Sequence, residues 1–137
     1  MANDFLECLT TSINDIPGLK MKAVMNYPDE TESLGVYALP GGRISGGDML
    51  GRVKMTLNFE IAIHTKSIEI ANNTMWEISK ALGDLSLDIP SQNGSYEFES
   101  LEPEAPSLNE RDEKGWYLFI LDLTATIITN KGEIANG

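Results

Sequence analysis

Few side chains in this 137-residue sequence have the type and spacing that chemistry requires. His64 is the only histidine and Cys8 the only cysteine. A nucleophilic pair needs thiol and imidazole within hydrogen-bond reach, and nothing in the sequence pairs these two. Cys8 lies between apolar neighbours, where a thiol behaves as a small hydrophobe. A zinc centre needs more ligands of the right type, and a single cysteine excludes an intramolecular disulfide. Glu97, Glu99, Glu102 and Glu104 are dense enough to suggest calcium. The twelve-residue calcium loop pattern is absent, however, and Pro103 interrupts the run, so a solvated acidic face is the better reading. The glycine-rich segment 40–51 (PGGRISGGDMLG) invites a phosphate. It lacks the Lys-Ser/Thr ending of a P-loop and the Gly-x-Gly-x-x-Gly spacing. It also leads into a strand, where a phosphate cradle would lead into a helix N-terminus. A hairpin tip or subunit-contact loop fits it better. The sequence therefore offers no catalytic residue, no metal site and no cofactor site, and predicts a protein that is not an enzyme.

Charge says more than motifs do. Ten Lys and Arg stand against 21 Asp and Glu, a formal net charge of -11. The stretch 84–113 holds nine acids and one base, Arg111, and carries -8 of that total. Such a surface opposes binding to nucleic acid, whose phosphates need a field of the other sign. It suits a basic partner, or a passage that nucleic acid must cross without sticking. The N-terminus has no basic start followed by an apolar run, and no apolar stretch approaches the roughly 20 residues that span a bilayer. A soluble protein in a reducing compartment, with no membrane partner, is expected. Without a secretory signal, the glycosylation triplets at Asn72 and Asn93 are chance matches.

Hydrophobic periodicity supplies the elements that must position these residues. Phe5, Leu6, Leu9, Ile13 and Ile16 recur at three and four, predicting a helix over 3–15 that Asp4 caps and Pro17-Gly18 ends. Met21–Asn26 and Leu34–Leu39 read as short strands. Six alternations from Val53 to Ile63 read as a long strand, with His64 on its polar face. Ala71, Met75, Ile78, Leu82 and Leu85 make the stripe of a second helix. Ser67 or Thr65 suits its start, and Gly83 a left-handed C-terminal cap. A strand near Tyr96–Leu101 follows, then a last strand over Trp116–Thr129. The first half of that last strand is apolar on both sides, as a central strand or one buried against another subunit would be. The order α-β-β-β-α-β-β predicts an α+β fold, a mainly antiparallel sheet of four to five strands with two helices on one face. One domain over 1–129 is expected, with a glycine-rich hairpin loop at 40–51 and a mobile C-terminal tail at 130–137.

In this order of elements several segments stand out. They are the glycine-rich tip, the strand RVKMTLNFEIAI from Arg52, the helix with its Trp76-Glu77 step, IPSQNGSY from Ile89, the proline- and acid-rich link, and EKGWYLFILDL from Glu113. Over roughly residues 3–129 the chain resembles the minor capsid proteins of tailed phages and prophages of Gram-positive bacteria. These are similar to the tail terminator, or tail completion, proteins of long non-contractile tails. The resemblance implies a virion protein at the neck, made in the host cytoplasm. It implies a homo-oligomeric ring of six that caps the tail tube protein, stops its polymerisation, and offers its other face to the head-neck stopper protein. DNA would pass through the lumen without specific binding.

A ring needs two different patches on each subunit. Candidates for a subunit or tube interface are Leu39, Arg43, Ile44, Met49 and Leu50 around the loop, and Trp116, Leu118 and Ile120 on the last strand. Trp76 is a weaker candidate of the same kind. Candidates for an acidic lumen are Glu60, Glu97, Glu99, Glu102 and Glu104. Two other readings share these features: another neck protein, a stopper or adaptor, and an acidic inhibitor of a basic protein.

Overall fold

The computed structural model describes residues 3–19, 21–47 and 51–130. Its elements are α1 (Phe5–Asn14), β1 (Ala23–Val24), β2 (Ser33–Gly47), β3 (Arg52–Thr65), α2 (Ile68–Leu82), β4 (Glu97–Pro103), β5 (Ser107–Arg111) and β6 (Tyr117–Asn130). The fold is α+β, with a mixed sheet in the order β1-β2-β3-β6-β4 and β5 also paired to β6. β1 runs parallel to β2; all other pairs are antiparallel. β6 is central, flanked by β3 along its whole length and by β4 and β5 on its other side. That position explains why its first half is apolar on both faces.

Alternation decides which side of the sheet meets the helices. Leu34 and Val36 of β2, Phe59, Ile61 and Ile63 of β3, and Leu121, Leu123, Ala125 and Ile127 of β6 are all buried. They form one core with Phe5, Leu9 and Ile13 of α1 and Ala71, Met75, Ile78 and Leu82 of α2. Both helices thus cover one face. The side chains between these positions (Tyr37, Glu60, Asp122 and Thr124 among them) form the opposite, half-buried face.

Several local expectations need correction. The strand foreseen at Met21–Asn26 shrinks to two residues, Ala23 and Val24. The Asn14 side chain holds it in place, donating Nδ2 to the Ala23 carbonyl at 3.0 Å and accepting from the Ala23 N–H at 2.7 Å. Segment 40–51 is not simply a loop, because β2 runs on through Gly47. Leu39 pairs with Asn58 and Arg43 with Thr56, so an extra stretch bulges out between them. Gly41 takes a positive φ of 99° there, and the Asn58 Nδ2 donates to the Pro40 carbonyl at 3.3 Å. Leu85 is no part of the α2 stripe; it lies beyond the helix and is fully exposed. Gly83 is right-handed, at φ -86°. Asp84 then makes the turn, accepting from the N–H and hydroxyl of Ser86. Ser67 does start the helix, its hydroxyl accepting from the Ile70 N–H at 3.2 Å. Strand β5 was not foreseen, because all five of its residues are exposed and no apolar alternation marks it. Asn130 ends β6, and the rest of the foreseen tail, 131–137, lies outside the described residues.

Gly35 shows how tightly the sheet edge is closed. A Cβ there would sit 2.0 Å from the Asn26 carbonyl oxygen and 3.0 Å from the Pro28 ring. The 26–28 turn therefore lies directly on the backbone of β2. Gly35→Ala is expected to lower stability by about 2 kcal/mol, since the obstacle is backbone and must move. Urea unfolding checks this; an unchanged midpoint would mean that the turn is not docked.

Candidate functional site

The β3–β6 register builds the open face. Glu60 lies opposite Asp122, Asn58 opposite Thr124, and His64 opposite Leu118. Tyr37 of β2 is the next partner of Glu60, and its hydroxyl donates to Glu60 Oε1. Just past β4, the Glu104 N–H donates to the Asp122 carbonyl at 2.8 Å, which brings a third carboxylate to the row. Glu102 faces Thr124, one step along. A row Tyr37–Glu60–Asp122–Glu104 therefore crosses the sheet.

The electrostatics follow from like charges at close quarters. Asp122 Oδ1 is buried and has no hydrogen-bond partner. Contact with the Glu60 carboxyl, then burial, then the charges of Glu60 and Glu104 push the Asp122 carboxyl up to about 7. Burial, then the bond to Glu60 and its charge, raise the Tyr37 phenol as well, so it stays a donor.

The other expected acidic residues divide into two groups. Glu97 is ion-paired with Arg52 at 3.3 Å and Glu99 with Lys54 at 2.9 Å, at the hairpin end of the face. Glu60, Glu102 and Glu104 come together in its middle. Asp122 joins them although it was not singled out as a site residue. The signal was there, since the second face of the last strand turns from apolar to acidic at that residue. Only the register, which puts it opposite Glu60, gives it meaning.

Of the expected interface residues, Arg43 and Ile44 fall at one end of the sheet and Trp116 and Leu118 at the other, while Leu39 and Ile120 lie nearer its middle. Arg43 and Ile44 lie exposed on the hairpin, Ile44 at 55%, while Leu39 is half-buried. Met49 and Leu50 lie outside the described residues. At the other end the Trp116 ring stacks flat on His64, with centroids 4.4 Å apart and planes 6° apart. Lys66 Nζ lies 5.2 Å from the same ring. Leu118 is buried beneath them and Ile120 is half-buried. Tyr27, Asp29, Glu110, Asp112 and Lys114 join this end around a cleft of about 510 Å³. Trp76 of α2 is 50% exposed, away from both patches.

Cys8 is buried, its Sγ 3.4 Å from Asp4 Oδ2, and burial raises its pKa. That environment disfavours the thiolate a nucleophile needs. Among the described residues no group of three or more His, Cys, Asp and Glu side chains could hold a metal ion. Nor, among them, is any helix long and apolar enough to cross a membrane. What the arrangement offers is surface: an acidic row on an open sheet face, between an exposed hairpin and an aromatic cleft.

Comparison with curated proteins finds no match. Among solved structures, a chain from the virion of a native gene transfer agent particle is similar in fold, with a TM-score of 0.54. The alignment covers 88% of this chain and 84% of that one, at 12% identity. The family described as bacteriophage tail terminator protein matches residues 9–129. The match runs from the middle of α1 through α2 and takes in the sheet up to Thr129 of β6, so the chain belongs to the bacteriophage tail terminator proteins, structural components of the virion.

Proposed function

We propose that the protein assembles into a ring of six that caps the tail tube protein. The ring stops further polymerisation and presents its other side to the head-neck stopper protein. The observation that carries this reading is the placement of two unlike patches at opposite ends of one chain. Ile44 pairs with Met55, which faces Ile127 near the end of β6, whereas Trp116 lies just before its start. At about 3.3 Å per strand residue the patches are roughly 35 Å apart. A head-to-tail contact that closes on itself needs that separation of unlike surfaces. The acidic middle of the open face would then line the lumen, where repulsion of phosphate lets DNA pass. Glu97 and Glu99 contribute less to that field than their number suggests, because Arg52 and Lys54 offset them.

Gene disruption in the source phage, followed by electron microscopy, tests the reading. The expected particles are filled heads beside unattached tails of irregular or excessive length. Emptied heads beside tails of normal length would assign the protein to the stopper role instead. Normal infectious particles would remove it from the tail altogether. Complementation with Glu102→Lys/Glu104→Lys should restore assembly but slow DNA ejection; poor assembly with normal ejection from the particles that do form would place these residues outside the lumen.

A further inference from the structure

We infer that Glu60 and Asp122 hold a single proton between them across the β3–β6 seam in mildly acidic solution and release it near neutral pH, which makes the open face a proton-linked surface. The two carboxyl groups are direct cross-strand partners, central in the sheet and half-buried. Like charges directly opposite on a sheet are destabilising, and in a half-buried position they are screened less than at the surface. The Tyr37 hydroxyl already gives its hydrogen bond to Glu60 Oε1, and Asp122 Oδ1 is left without a donor. Asp122 Oδ1 is the sole buried side-chain oxygen or nitrogen without a partner among the described residues. A shared proton supplies the missing donor and removes one of the two charges, as it does in paired-carboxylate sites generally.

Among the described residues, the groups facing the pair offer no cation that would do the same. From β2 the pair faces Tyr37; from beyond β4 it faces Glu104, with Glu102 one step along. On β3, His64 is four residues from Glu60, about 13 Å along the strand. Arg52 and Lys54 lie six or more residues away in the other direction, about 20 Å or more, and bind Glu97 and Glu99. The contact with the Glu60 carboxyl, then burial and the charges of Glu60 and Glu104, hold Asp122 up at about 7. The pair lies within one chain, so it titrates whether or not the protein assembles, and its failure would leave the ring reading untouched.

The sign is fixed by linkage. Asp122 is raised above its unfolded value of 3.8. Between about pH 4 and 7 the folded chain therefore binds a proton that the unfolded chain does not. Stability from this pair is full at low pH and is lost as pH rises through 7. Carbon-13 titration of the carboxyl signals in the full wild-type chain is the direct test. The Asp122 Cγ signal should show a step near pH 7, and in Glu60→Gln that step should move down. A wild-type Asp122 signal that titrates wholly below pH 5.5 would overturn the inference. Unfolding with Asp122→Asn gives a second readout. The ratio of wild-type to variant unfolding constants should rise roughly tenfold per pH unit between pH 4.5 and 6.5 and level off above 7.5. A flat ratio would likewise overturn it.

Discussion

Phe5→Ala is expected to lower the stability of the protein by about 4 kcal/mol, the range in which large aromatic truncations in a core fall. Phe5 is fully buried at the first turn of α1. Its ring lies 5.3 Å from those of Phe59 and Tyr96 and 6.3 Å from that of Phe98, with the Tyr96 ring edge-on and the Phe98 ring parallel. One side chain thus ties α1 to β3, to the segment before β4, and to β4 itself. Truncation would leave a cavity where three aromatic rings converge, and rings cannot collapse into it without leaving their own contacts. The melting temperature should fall by roughly 10–20 °C. Phe5→Leu keeps most of the apolar volume and should cost much less. A loss below about 1 kcal/mol for Phe5→Ala would mean that α1 does not dock as described.

The second large effect belongs to the neighbouring residue. Asp4 was expected to cap α1, but its side chain makes no capping bond. It reaches instead across the fold to segment 91–95. The hydroxyls of Ser91 and Ser95 donate to Oδ1 at 2.6 and 3.2 Å, and the N–H groups of Gln92 and Asn93 donate to Oδ2 at 2.9 and 3.2 Å. Nearby, the Tyr96 hydroxyl donates to the Ile89 carbonyl at 2.6 Å. The carboxylate is therefore the centre around which a loop with no regular structure is folded. Asp4→Ala should cost about 3 kcal/mol, because several charge-assisted bonds are lost at once and the buried Ser95 hydroxyl and the part-buried donors of 91–93 lose their acceptor. Asp4→Asn, which keeps one acceptor oxygen, should cost less. The pH dependence follows from the same contacts. Burial alone would raise the Asp4 pKa, but the bonds from Ser91, Gln92, Cys8 and Ser95 outweigh it and hold the carboxyl below its usual value of 3.8. Its contribution is therefore present above about pH 4 and lost as pH falls through the lower, folded value. Acid unfolding of wild type and Asp4→Ala should converge at the lowest pH. Parallel curves would mean that Asp4 carries no charge-dependent stability.

These two neighbours show what a sequence can and cannot reveal. Phe5 was legible because it begins a run with helical period, and burial of one face is a local property. The same holds for Ala71, Met75, Ile78 and Leu82, and for the alternation of β3. Asp4 was legible only as a candidate cap, because its real partners lie 87 to 91 residues away and no local pattern announces them. The glycines of 40–47 signalled a loop, yet half of that stretch pairs with β3; glycine permits a turn or bulge without requiring one. β5 escaped because an edge strand with five exposed residues leaves no hydrophobic period. The acidic face was partly legible. Glu102 and Glu104 could be named from charge density and Glu60 from the alternation of β3, but Asp122 acquires its role from the register between two strands, and register is a long-range fact.

The grip of Asn14 on Ala23 has a consequence for how copies of this chain can meet. A free sheet edge is an open template, and any passing strand can zip onto its unpaired N–H and C=O groups. β1 is such an edge, yet its Ala23 offers nothing to a newcomer, since the Asn14 amide already occupies both of its outward groups. The side chain acts as a one-residue false strand that ends the sheet. Neighbours arriving at this edge meet the exposed side chains of Val24, Met25 and Tyr27. A contact made there would rest on side chains and could not propagate through Ala23 as a continuous ladder of backbone bonds.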